Sequence, residues 1–361
     1  MTTNRQFSSH LQQKIDLLKN RRPGIKLGNI SFDSPLLLAP MSAICNAPYR
    51  QLMEDLGAGG TVSELISCHG INYGNERTRH MLKLFPNEKN IGLQLFGEDG
   101  PAMAKAAQVA QDFGPKFIDI NMGCPVRKVV TKGGGSALLK DTSKLGAFFG
   151  EIKKAIELPL TIKIRTGWDS DSVNAPEVIR IAKEEGVEFV AIHGRTRVQQ
   201  YQGQANWDLL ESFAMLSPLP IIGNGDLHTS YLTKQRLKVT RCQALMLGRG
   251  PLRDPFIFLT SFLNDDERVT FSGRDYLEVI NRLYQYQIEY AANDRVMLTQ
   301  MKKFIVWMSA GFPGVAKFRG LVFSSKTVED VLRVSEEFFI HFNEDDKDID
   351  HSKSFMDGGH G

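Results

Sequence analysis

Apolar residues in this chain gather in short runs, most of them β-branched, each closed by glycine, proline or polar residues. Eight recur in order: PLLLAPM, GGTVSELIS, IGLQLFG, FIDINMGCP, LPLTIKIRT, FVAIHGRT, PIIGNGD and ALMLGRG, ending near Met41, Ser67, Gly97, Pro125, Thr166, Thr196, Asp226 and Gly250. Between them lie segments with helical periodicity, such as GPAMAKAAQVAQDF and APEVIRIAKEEG. Strand and helix thus alternate at about the 30-residue period of a βαβ unit, and the eight units predict an α/β chain folded as a (β/α)8 TIM barrel over residues 35–262. A doubly wound open sheet is the rival, weakened because no run is followed by G-x-G-x-x-G or G-x-x-x-x-G-K-[ST].

Beyond residue 262 the pattern is helical only. YLEVINRLYQYQIEYAA and VMLTQMKKFIVWMSAG carry apolar residues at helical spacing, and TVEDVLRVSEEFFIHF opens on Thr327 as an N-cap with Asp330 in an acidic first turn. This predicts a small all-helical C-terminal domain over 263–343, whose Met and aromatic stripes form its core. Residues 344–361, charged and nearly free of large apolar groups, read as a disordered acidic tail, and residues 1–34 as an extension without an assigned role.

Alternation within the strands predicts where chemistry lies. In LTIKIRT, Leu160, Ile162 and Ile164 share one face and Thr161, Lys163 and Arg165 the other; the same rule separates Gln94, Asn121 and His193 from their apolar neighbours. Each polar residue alone has a structural explanation, yet together they converge near the C-terminal strand ends, where barrels carry ligand sites. Gly223 to Asp226 (GNGD) and Gly248 to Gly250 (GRG) close the last two strands, a frequent place for phosphate. Gly-Arg-Gly by itself reads equally as a turn; joined to an interior lysine and to Arg249 it suggests a phosphorylated cofactor such as FMN.

Composition adds little and excludes more. The four cysteines of the 361-residue chain include no C-x-x-C pair, so neither a disulfide framework nor a metal knuckle is expected. The N-terminus lacks a signal-peptide core, and no uninterrupted apolar run approaches the roughly 20 residues that cross a bilayer, so a cytoplasmic protein without a membrane partner is expected. The net charge of +3 hides a tail of −4 and a body of +7, a balance compatible with a polyanionic partner.

Seven blocks, LAPM, QLFG, DINMGCPVRKV, KIRTGW, HGRTRVQQYQGQANW, NGD and LGRG, occur in this order. Together they resemble the tRNA-dihydrouridine synthases, most closely the bacterial B-type branch. The resemblance implies an FMN-dependent barrel that uses NADPH to reduce the C5=C6 bond of particular tRNA uridines to 5,6-dihydrouridine. It further implies that Cys124 donates a proton, that Pro40, Met41, Ser42, Gln94, Lys163, Asn224, Gly225, Asp226, Gly248 and Arg249 bind the flavin, and that His193 stands on the cofactor side. The chain departs from the family after the first strand, where PMSAICN replaces an approximate P-M-A-G-V-T-D, with Cys45 and Asn46 in place of Thr-Asp.

On that reading a thiol between Gly123 and Pro125 is a suitable acid, since an ordinary cysteine pKa of about 8.5 keeps it protonated near neutrality. VTKGGGS becomes a loop that closes over an extruded base. Asn121, Arg127, Lys128, Arg165, Arg195 and Arg197, with Lys132 nearby, are the expected tRNA contacts. Lys302, Lys303, Lys317, Arg319 and Lys326 of the helical domain are expected to position tRNA apart from the flavin site. A monomer is expected. A dihydroorotate-dehydrogenase-like enzyme acting on a free pyrimidine acid, and a non-catalytic tRNA-binding chaperone, are the alternatives.

Overall fold

Runs of three to six apolar residues between glycines and prolines can form only short strands, and the computed structural model, which describes residues 7–351 and Phe355, arranges them as a closed parallel barrel. A helix over Ser9–Lys19 comes first, then an antiparallel hairpin of β1 (Ile25–Leu27) and β2 (Ile30–Phe32). The barrel staves are β3 (Leu36–Leu38), β4 (Gly60–Val62) continued by β5 (Ile66–Ser67), β6 (Ile91–Phe96), β7 (Phe117–Met122), β8 (Leu160–Arg165), β9 (Val190–His193), β10 (Ile221–Asn224) and β11 (Ala244–Leu247). The ring closes where β11 pairs with β3 and β4 with β6, in registers such as Met246 with Leu37 and Thr61 with Ile91.

The alternation read from sequence is the alternation observed. Leu93, Leu95, Ile118, Ile120, Leu160, Ile162 and Ile164 belong to the outer core between staves and helices, whereas Leu37, Phe117, Phe189, Ile222 and Met246 belong to a separate core inside the barrel. The N-terminal extension supplies the floor of that inner core. Phe32 meets Phe117 and Phe189 edge-on at 6.0 and 6.1 Å, and those two rings meet at 5.6 Å. Gly60 and Gly92 make the room: a Cβ on Gly60 would lie 2.6 Å from the Phe32 ring, and one on Gly92 would overlap Phe117.

Four helices follow the barrel, Gly273–Tyr290, Asp294–Met308, Val315–Ser324 and Val328–Phe339, with Thr327 capping the last through Asp330 N–H at 3.1 Å. They share the outer core with the barrel: Tyr49 stacks on Phe304 at 4.7 Å, and Arg282 and Tyr286 both bond Asp55. The disordered tail expected from Glu344 needs correction for its first residues. Lys347 Nζ donates to the carbonyls of Arg253 and Met308 and to Tyr276 Oη at 2.6, 3.0 and 3.0 Å, and Asp348 N–H bonds Gly311. The buried Lys347 amine, placed over the Tyr276 and Phe312 rings, thus pins the acidic segment to both barrel and bundle. Beyond His351 the tail, apart from Phe355, lies outside the described residues.

Candidate active site

A cleft of about 220 Å³ opens at the C-terminal end of the barrel. Strand ends and the loops after them bring Pro40, Met41, Ser42, Cys124, Lys163, His193, Asn224, Gly225, Asp226, Gly248 and Arg249 to its walls, together with Asn121, Arg165 and Arg195. Ala39 and Met246 make part of the wall apolar.

The interior polar residues form a ladder that ends at the cysteine. Asp119 accepts from Thr161 Oγ1 and from Gln94 Nε2, both at 2.6 Å; Gln94 Oε1 accepts from Asn121 Nδ2 at 2.8 Å; Asn121 Oδ1 accepts from the Cys124 N–H at 3.0 Å. Burial pushes the Asp119 carboxyl up to about 6, opposed by its bonds to Gln94 and Thr161. From the other side Ser136 Oγ donates to the Cys124 carbonyl at 2.8 Å, and Gly135, with φ of +59°, packs so closely that a Cβ would lie 2.9 Å from that oxygen. The glycine run is therefore a cradle for the cysteine backbone. Burial raises the Cys124 thiol above its ordinary value, so the half-buried group stays protonated through neutral pH.

From the adjacent strand β8, Lys163 Nζ donates to Asn224 Oδ1 at 3.0 Å, and Asn224 Nδ2 donates to the Met246 carbonyl at 2.7 Å. Burial, aided by neighbouring Arg165, pulls the Lys163 ammonium down to about 8, which leaves it mostly charged at neutrality. Burial and four surrounding cations hold His193 well below the histidine range, so its imidazole is neutral.

The amino-acid sequence gives the same reading. The family model for dihydrouridine synthases (Dus) matches residues 37–343. The chain belongs to the dihydrouridine synthase family. A probable tRNA-dihydrouridine synthase of Rickettsia conorii is 33% identical over 90% of this chain and 98% of its own length. A tRNA-dihydrouridine synthase B of Pseudomonas aeruginosa is 30% identical over 82% of this chain and 90% of its own. Among solved structures, histamine dehydrogenase from Rhizobium superposes with a TM-score of 0.51 at 12% identity, over 68% of this chain and 47% of that one, which shows the fold alone.

Within this dihydrouridine synthase several expected contacts take other parts. Gln94 lies beneath the cleft rather than on its wall, fully buried, with its amide occupied by Asp119 and Asn121. Arg165 donates to the carbonyls of Gly123, Thr196 and Gln200 at 2.9, 2.8 and 2.8 Å. Arg195 grips Asp226 through two bonds of 2.8 and 2.9 Å and also holds the carbonyls of Gln202 and Gly203. These two guanidinium groups bolt the loops after β7, β9 and β10 together, a structural part beside the tRNA contact expected of them, while both still line the cleft. Arg127, Lys128 and Lys132 are exposed around a short helical turn, and Arg197 lies beyond the cleft.

Lys302 and Lys303 also need correction as free RNA contacts. Lys302 Nζ caps the helix Val315–Ser324 by bonding the carbonyls of Phe323 and Ser325, while Lys303 Nζ bonds the Ala43 carbonyl at 2.5 Å. Ala43 is left-handed at φ +59°, and its N–H is taken by Glu64. The bundle therefore braces the loop that carries Met41 and Ser42. Asp119 is the residue that sequence reading missed; its place two positions before Asn121 on β7 is the signal that could have found it.

Among the described residues no helix is long and apolar enough to cross a membrane, and no group of three or more His, Cys, Asp or Glu side chains could hold a metal ion.

Proposed function

We propose that this chain reduces the C5=C6 bond of uridines within tRNA to 5,6-dihydrouridine, with FMN held in the cleft, NADPH as reductant and the Cys124 thiol as proton donor. The observation that carries it is a half-buried thiol lining the same cleft as a buried lysine from the adjacent strand.

The residues present fit a phosphorylated flavin. A flat ring finds apolar walls in Ala39, Pro40, Met41 and Met246, and a cationic donor in Lys163. A Cβ on Gly248 would have only Met41 Sδ within 4 Å, at 3.9 Å, which leaves open space beside Arg249 for a bulky group. Lys163, Asn224, Gly225, Asp226, Gly248 and Arg249 are the residues that would hold it. Held there, a flavin would supply the hydride for uracil C6.

Charge then develops at C5 and on the C4 carbonyl, and Cys124 Sγ delivers the proton to C5. Asn121 and Ser136 fix the cysteine backbone so that the thiol is aimed before the base arrives. The thiolate left behind is disfavoured by its half-buried setting, so it regains a proton from solvent once the product leaves. Lys317, Arg319 and Lys326, all exposed, are the bundle cations left to meet tRNA.

The test uses the purified full chain reconstituted with FMN, incubated with unmodified tRNA transcript and NADPH, with nucleosides analysed by mass spectrometry. Dihydrouridine should appear only when both are supplied; a protein that takes up no FMN, or that reduces free uracil and ignores tRNA, overturns the reading. A companion expectation concerns Lys163. Flavin affinity, followed by fluorescence on titration, should weaken as pH rises through about 8, because the ammonium loses its charge there. Lys163→Ala should bind more weakly than wild type and show no such pH step.

A further inference from the structure

Outside the cleft, on the rim of the barrel mouth, two cations share one indole. Lys140 Nζ lies 3.9 Å from the centroid of the Trp168 ring, and the Arg197 guanidinium lies 4.6 Å from the same ring. The three residues follow three successive strands, β7, β8 and β9, and their loops are joined directly. Arg197 N–H bonds the Gly167 carbonyl and Val198 N–H the Trp168 carbonyl, both at 3.0 Å, and Asn174 Nδ2 bonds the Leu139 carbonyl at 2.7 Å. The indole thus sets both cations in place on a rigid base.

Two like charges so placed repel each other, and no carboxylate among the described residues pairs with either. The nearby acids serve their own turns. Asp141 accepts from Ser143 and pairs with Lys144 at 3.2 Å, while Asp169 accepts from Ser172 and from the Asp171 N–H. Arg197 Nε is moreover buried without a hydrogen-bond partner among the described residues. A half-buried guanidinium beside an exposed ammonium, neither of them paired with a carboxylate among the described residues, suits a ligand with several anionic oxygens, and a phosphate ester is the natural class.

We propose that Lys140, Trp168 and Arg197 form a phosphate-binding subsite that grips the RNA backbone next to the uridine presented to Cys124; this rests on the tRNA reading given above. Position argues for the backbone rather than for the phosphates of NADPH. None of the three residues lines the cleft, yet each is one short segment from the thiol. Ser136, which holds the Cys124 carbonyl, is the second residue of the turn Gly135–Lys140. Arg165, which holds the Gly123 carbonyl, stands three residues before Trp168. A nucleotide turned into the barrel keeps a phosphate on either side, and these must rest on the rim.

The experiment measures tRNA affinity of the FMN-loaded full chain against salt, for wild type and for Lys140→Gln with Arg197→Gln. The neutral variant should bind roughly tenfold more weakly or worse at moderate salt. Its log–log salt slope should be shallower by about 1 to 2, the counterions of one or two lost contacts. The charge-preserving pair, Lys140→Arg with Arg197→Lys, should restore the slope. Since Lys140 is exposed, Lys140→Gln alone tests the site if the double variant folds poorly, and it should show part of the change. Coincident lines for wild type and neutral variant, or a slope lost equally in the charge-preserving pair, overturn the subsite. A raised KM for NADPH with an unchanged tRNA slope assigns the cations to the reductant and overturns it too. Wild type that binds no tRNA at any salt instead overturns the tRNA reading itself.

Discussion

Cys124→Ala should lower the single-turnover rate of tRNA reduction by about 10²- to 10⁴-fold, the usual worth of a positioned general acid, while FMN content and NADPH oxidation persist. Alanine fills nearly the same space, and the backbone bonds from Asn121 and Ser136 do not depend on the thiol. With FMN kept saturating, the wild-type rate should be flat through neutral pH and fall as pH rises through the thiol's raised pKa, because below it the proton is in place. Rapid chemical quench with nucleoside analysis measures the rate. An alanine variant that reduces tRNA at the wild-type rate would show that another group is the acid.

The largest expected loss of stability lies away from the cleft, at a buried ion pair of the barrel domain. Arg50, on the helix Ala47–Asp55, donates from Nε to Glu88 at 2.8 Å and from a second nitrogen at 3.3 Å; a third bond of 2.8 Å goes to the Cys45 carbonyl. The two side chains are 1% and 0% exposed, so removal of one leaves a buried charge without its partner. Arg50→Met should therefore cost about 3–5 kcal/mol. Arg50→Met combined with Glu88→Gln should recover part of that loss, since the orphaned charge is gone. Urea unfolding midpoints compare the three proteins, and a single variant as stable as wild type would show the pair to be idle.

What could be read from the chain follows from what side chains announce. Period-two alternation named the inward face of β8 correctly, and with it Lys163, because a strand leaves no other way to orient neighbours. Thr327 declared its cap because the hydroxyl bonds a backbone group three residues on, a purely local event. The structural part of Arg165 and Arg195 was hidden for the opposite reason. Their partners are mainly backbone carbonyls on loops up to 42 residues away, and a carbonyl has no residue type to recognise. Gln94 pointed inward as expected, but how deep it sits depends on barrel register, which no single strand encodes. The hairpin IKLGNISF carried a strand-like rhythm of its own, yet its place under the barrel comes from Phe32 meeting rings that lie 85 and 157 residues further on in the chain.

That aromatic floor has a consequence for timing. With Phe32, Phe117 and Phe189 stoppering one end of the barrel, whatever the cleft exchanges comes and goes by a single door. On the proposed chemistry, the reductant has to withdraw before a folded RNA can enter, so each catalytic cycle becomes two separate visits. Between them the reducing power is held in store by the protein, shielded from the visitor that delivered it and waiting for the one that will use it.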